Sequence, residues 1–172
     1  MKSIFLTLLF ALTFSAFLNA QDLEKNHNKI TVYYLVRHAE KDRTNPENKN
    51  PHLTSEGLNR AENWKTVLSN ISFDLVFTTD YHRTQQTALP LANHNKLKPK
   101  KYEANNLVNN TFLEETRGKN IFVVGHSDNI PEIVNALIGQ NKYQEIADSQ
   151  NGSLFIVTIY GSHVSEQLLI IN

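Results

Sequence analysis

The 172-residue sequence has no cysteine, one methionine, one tryptophan, five prolines and six glycines. The missing cysteine excludes a disulfide framework, a lipidated cysteine anchor, thiolate chemistry and any cysteine-based zinc site. There is no excess of either charge: 17 Lys and Arg face 17 Asp and Glu. A dominant basic surface for nucleic acid is therefore not expected. Beyond the first 20 residues no apolar run approaches the roughly 20 residues that a bilayer span requires. His27, His52, His94 and His163 show none of the spacing of a metal-ligand pair, and neither a metal nor a cofactor is expected.

What is present divides in two. Residues 1–20 hold a single charge, Lys2, and 14 of them are apolar. The short positive start, the apolar run from Ile4 to Leu18 and the small Ala20 before Gln21 have the grammar of a secretory signal. The run of about 15 residues is short for an anchor. The reading is a cleaved leader and a domain in the periplasm or beyond, without stable membrane association. Residues 21–172 then form one domain, large enough to bury its own core.

That domain alternates between two periods. Strands are expected at Ile30–Arg37, Asp74–Thr78, Lys100–Tyr102, Asn120–Val124, Ser153–Tyr160 and Val164–Ile171, from their β-branched and aromatic runs. Helices are expected after Thr54 or Ser55, over Tyr81–Asn93 with Pro90 kinking or ending it, weakly over Asn105–Glu115, and from Pro131 to a stop at Gly139. Gly161-Ser162 reads as a hairpin turn. The pattern implies a single three-layer α/β domain. Its central sheet is mostly parallel, with helices on both faces and a C-terminal hairpin.

In open α/β sheets ligands bind beyond the carboxyl ends of the strands. The first strand ends in Arg37-His38, the second runs through Thr78-Thr79 towards Arg83, and the fourth ends in Gly125-His126-Ser127. Two histidines and two arginines thus meet at one rim. Their surroundings go further. Leu35-Val36-Arg37-His38-Ala39-Glu40-Lys41, then Leu53-Thr54-Ser55-Glu56-Gly57-Leu58-Asn59-Arg60-Ala61, then Phe77-Thr78-Thr79-Asp80 running on to Arg83-Thr84-Gln85-Gln86-Thr87-Ala88, then Val123-Val124-Gly125-His126-Ser127-Asp128-Asn129-Ile130-Pro131 occur in order. This ordered set resembles the histidine phosphatase superfamily, also called phosphoglycerate-mutase-like, over essentially residues 30–171. The chain is most similar in size to its short members, bacterial phosphohistidine phosphatases included.

Arg37 and Arg83 offer planar forks that grip phosphoryl oxygens and stay charged at physiological pH. His126 can add a hydrogen bond. A neutral His38 nitrogen can attack phosphorus, provided that a backbone carbonyl fixes the other ring nitrogen. The resemblance implies that His38 is the phosphorylated residue and that Arg37, Arg83 and His126 form the phosphate pocket, with cationic side chains in place of a metal. It also implies a carboxylic acid for the leaving group. Ser127, not an acid, follows His126, with Asp128 one position later; between Arg83 and His126 stand Glu103, Glu114 and Glu115. Glu103, just past a short strand, is the preferred candidate. The expected activity is hydrolysis of small phosphomonoesters or related phosphoryl compounds. Two alternatives stay open: a non-catalytic protein that binds phosphoryl ligands on the same fold, and a mutase-type phosphotransferase. For the second the chain lacks room for insertions enclosing a substrate.

Overall fold

A computed structural model describes residues 29–171. The leader expected over residues 1–20 lies outside the described residues. Among the described residues six strands and four helices follow one another as β1 (Ile30–Arg37), α1 (Ser55–Val67), β2 (Leu75–Thr78), α2 (His82–His94), β3 (Lys100–Lys101), α3 (Asn110–Thr116), β4 (Asn120–Gly125), α4 (Asn129–Ile138), β5 (Ser153–Tyr160) and β6 (His163–Ile170). They build one sheet in the order β3-β2-β4-β1-β5-β6. The first four strands are mutually parallel, and β5 and β6 add an antiparallel hairpin. Gly161, at φ +59°, turns that hairpin in a conformation that glycine adopts without strain.

Alternation along the strands separates two cores. Tyr33 and Leu35 of β1, Ile121 and Val123 of β4, and Phe155 and Val157 of β5 pack against Phe112 of α3 and Ile130, Ile133 and Val134 of α4. Val36, Phe122, Val124 and Leu154 point to the other face, against Trp64 and Leu68 of α1 and Ala88, Leu91 and Ala92 of α2. Both faces are covered, so the inner strands read as near-continuous apolar runs. Trp64 is 1% exposed. Truncating a side chain of that size in a core costs about 3–5 kcal/mol. The three-layer expectation from the sequence is met.

Several boundaries differ from expectation, for local reasons. Helix α2 continues through Pro90, because Ala88, Leu91 and Ala92 bury both halves of it against the sheet. Helix α3 starts at Asn110 rather than near Asn105, because the side chain of Asn109 accepts from the Phe112 N–H and caps it there. Helix α4 starts two residues before Pro131, with Asp128 as its N-cap. The proline is still tolerated, since the N–H groups of a first turn have no helical partner. Gly139, at φ +67°, ends it as expected.

Strand order is what assembles the rim. β4 lies between β1 and β2, with Arg37 opposite Gly125 and Thr78 opposite Val124. The chain therefore leaves three adjacent strands at His38, Thr79 and His126, side by side.

Candidate active site

His38 is 4% exposed, and its backbone N–H donates to the Gly125 carbonyl at 2.9 Å. Its Nδ1 lies 2.8 Å from the Ala39 carbonyl oxygen, which can only accept, so Nδ1 carries the proton and Nε2 keeps its lone pair. The Ala39 peptide is itself held: its N–H donates to Thr87 Oγ1 at 3.0 Å, and Thr87 donates to the Arg83 carbonyl at 2.7 Å. One buried threonine thus ties the His38 loop to the helix bearing Arg83. Burial, and after it the Arg83 and Arg37 guanidiniums, push the His38 pKa down to about 3, against the hydrogen bond that the ring donates to the Ala39 carbonyl. The ring is a neutral base at physiological pH.

His126 stands next to it, the two rings edge to face with centroids 5.5 Å apart. Arg83 Nη2 lies 3.4 Å from His126 Nδ1. A guanidinium only donates, so the proton of His126 is on Nε2 and goes to Thr79 Oγ1 at 2.9 Å. This refines the expectation of a ready donor: the neutral ring spends its proton on Thr79. Burial and Arg83 lower the His126 pKa to about 4, with Asp128 pulling the other way. A bound dianion would favour the protonated ring. The backbone of His126 is fixed by Asn129, 1% exposed, whose Oδ1 accepts its N–H at 2.7 Å. Gly125 makes this possible, because a Cβ there would collide with Asn129 Oδ1 and Tyr102 Oη.

Arg83 is steered by Tyr81, whose ring lies 4.2 Å below its Cζ. Arg37 is 2% exposed and donates through Nη1 to the carbonyls of Ala147 and Asp148, each at 3.0 Å. The Nε atoms of Arg37 and Arg83 are buried without a hydrogen-bond partner. Two orphaned guanidinium donors around one neutral histidine suit an incoming oxyanion.

A cavity of about 530 Å³ opens beside His38, lined by Arg37, Glu40, Lys41, Arg43, Asp148, Ser149 and Asn151 among others. Glu40 is engaged elsewhere: its Oε1 accepts from Arg60 Nε at 2.7 Å. Its carbonyl lies so near Gly57 that a Cβ there would collide with it, which explains the glycine in the Leu53–Gly57 segment. Four of the five residues expected from the sequence thus come together: Arg37, His38, Arg83 and His126. Glu103 does not join them. It follows β3 as an exposed residue, next to Tyr102, which turns inward to Asn129. Asp128 is the carboxylate whose charge acts on both His126 and Arg83.

Sequence reasoning gave no role to Thr79, Thr87, Asn129, Arg43 or Asp148. The first three lie inside the quoted segments and could have been found there; Arg43 and Asp148 lie in irregular chain with no local pattern.

A family model described as histidine phosphatase superfamily (branch 1) matches residues 33–109. No curated protein matches the sequence. Among solved structures, phosphoglycerate mutase from Bacillus anthracis str. Sterne is similar with a TM-score of 0.63 and 15% identity, over 84% of this chain and 95% of its own. Alpha-ribazole phosphatase from Shigella flexneri gives 0.60 and 18%, over 81% and 96%. Phosphoserine phosphatase from Entamoeba histolytica, in complex with 3-phosphoglyceric acid, gives 0.60 and 15%, over 83% and 98%. At these identities the structures speak for the fold, and the family model covers the stretch that holds Arg37, His38 and Arg83.

Proposed function

We propose that the chain is an exported phosphatase that hydrolyses small phosphomonoesters or related phosphoryl compounds through a phosphohistidine on His38, without a metal. The observation that carries this reading is His38 itself: a buried, neutral imidazole with Nδ1–H on the Ala39 carbonyl and Nε2 available for attack. The orphaned Nε groups of Arg37 and Arg83 support it. In the proposed sequence the guanidiniums take the phosphoryl oxygens, and Nε2 attacks phosphorus as the bond to the leaving oxygen breaks. Asp128 supplies the leaving group's proton, being the carboxylate that acts on His126 and Arg83. Water then hydrolyses the phosphohistidine. Likeness to proteins named as phosphatases supports hydrolysis as the outcome.

The deciding experiment is covalent trapping with a ³²P-labelled phosphomonoester. Label that survives base, is lost in acid and is absent from His38→Ala is the expected result. Tight phosphate binding with no label would mean a binding protein instead. Activity is expected to survive EDTA; loss on chelation, restored by a divalent ion, would overturn the metal-free mechanism. N-terminal sequencing of the exported protein is expected to begin at Gln21.

A further inference from the structure

Asp148 Oδ1 accepts from Arg37 Nη2 at 2.6 Å and from Arg43 Nη2 at 2.7 Å. A carboxylate oxygen of the protein thus sits between two guanidiniums at the edge of the cavity beside His38. The turn that carries it is pinned on both sides. Ile146, 7% exposed, donates its N–H to the Ser127 carbonyl at 2.9 Å, and Gln150 closes the turn by donating to the Ala147 carbonyl. Asp148 itself projects outward, its side chain 67% exposed. Arg37 does not depend on this carboxylate for its place, since the carbonyls of Ala147 and Asp148 hold its Nη1.

We propose that Asp148 is an internal competitor for the anion seat of Arg37 and Arg43, and that it tunes the pocket towards dianionic phosphoryl groups. The proposal rests on the reading of Arg37 as a phosphate ligand. A monoanion that enters only exchanges one carboxylate for another and gains little. A phosphoryl dianion can use the orphaned Nε of Arg37 and the fork of Arg83 as well, and so displaces or outweighs Asp148. Whether Asp148 moves aside or stays, its charge opposes the bound anion. Removing that charge therefore has the same sign either way.

The test is Asp148→Asn in the full chain, which keeps the shape of the side chain and the two carbonyl anchors. Calorimetric titration with inorganic phosphate is expected to show binding about tenfold tighter than in the wild type, as expected for removing one nearby partly screened charge. KM for p-nitrophenyl phosphate falls in parallel while kcat does not rise. Acetate, without effect on the wild type, begins to inhibit competitively, because the seat between Arg37 and Arg43 is open to it. Unchanged or weaker phosphate binding by Asp148→Asn would make Asp148 a support for Arg37 and overturn the proposal. Arg37→Ala separates the two readings. If Arg37→Ala binds phosphate like the wild type, the phosphate pocket has been misplaced. If it binds poorly while Asp148→Asn is unchanged, the competitor role alone fails.

Discussion

The strand-end wall of the candidate site and the loop wall of the cavity beside it are built by different means. Arg37, His38, Thr79 and His126 stand on the ends of three adjacent strands, held by the sheet ladder and by bonds to Thr87 and Asn129. Lys41, Arg43, Asp148, Ser149 and Asn151 stand on irregular chain, and Arg43 and Asp148 hold each other at half exposure or more. In-line attack demands placement within a few tenths of an ångström, which a ladder supplies and a loop does not. Discrimination between ligands needs charge near the entrance, which a loop can supply. Changes in the first wall should therefore destroy activity, and changes in the second should shift affinity.

His38→Ala is the strongest test of that contrast. Turnover of p-nitrophenyl phosphate is expected to fall to background while the melting temperature stays within a few degrees, because the ring sits above the core rather than in it. A folded variant with near-normal activity would end the covalent mechanism. Arg37→Ala, Arg83→Ala and His126→Ala come next. Each is expected to lower kcat/KM by about 10²-fold or more, or roughly 2.7–4 kcal/mol for a lost charge-stabilising donor. Arg43→Gln, on the loop wall, should change kcat by less than about threefold. A loss as large as that of Arg83→Ala would erase the distinction between the walls.

The same contrast governs how much could be seen in the sequence. Rim residues announce themselves because a strand gives them a register: Ile30–Arg37 reads as buried from its β-branched run, so its last residues must emerge at the sheet's edge. Gly57 and Gly125 had a place in the pattern but no visible reason, since the collisions they avoid are with Glu40, and with Tyr102 and Asn129, distant or nearby in sequence. The tautomer of His38 was legible as a need for a carbonyl, and the partner proved to be its own neighbour, Ala39. Asp148 was invisible because it meets Arg37 across 111 positions through a turn without a hydrophobic period. Glu103 stands out by its place after a strand, but a strand of two residues gives too little alternation to say which way it faces.

Acid stability sharpens the comparison from another side. Burial holds the His38 pKa near about 3 and the His126 pKa near about 4, against an ordinary value of 6.5. Below pH 6.5 the unfolded chain takes up protons that the folded rim refuses, so stability falls with pH. The loss levels off once the folded rings titrate, near 4 for His126 and near 3 for His38. Asp148, held near about 2 by Arg37 and Arg43, extends the decline to lower pH. Thermal melts between pH 7 and 4 are expected to show a steady drop in Tm. The double variant His38→Gln, His126→Asn should flatten that slope; an unchanged slope would mean that other groups carry it. Inorganic phosphate should offset part of the drop, since a bound phosphate anion of either charge favours the protonated His126.

The smallest effects concern the leaving group's proton. A general acid must reach the leaving oxygen directly or through one water. Asp128 caps α4 beside His126 and acts electrostatically on both His126 and Arg83. Asp148 is unsuited, because two arginines keep it ionised. Glu103 is exposed beside the inward-facing Tyr102. Asp128→Asn is therefore expected to slow alkyl phosphates by at least about tenfold and p-nitrophenyl phosphate much less, since p-nitrophenolate leaves without help. Asp128 is exposed as well, but its charge, not that of Glu103, acts on His126 and Arg83, so Glu103→Gln should cost less than about twofold on either substrate. The leaving-group comparison is decisive because a purely structural role for Asp128, capping the helix, would slow both substrates equally. A large, selective loss on alkyl phosphates in Glu103→Gln would return the proton to β3 and show that the segment after it folds inward when substrate binds.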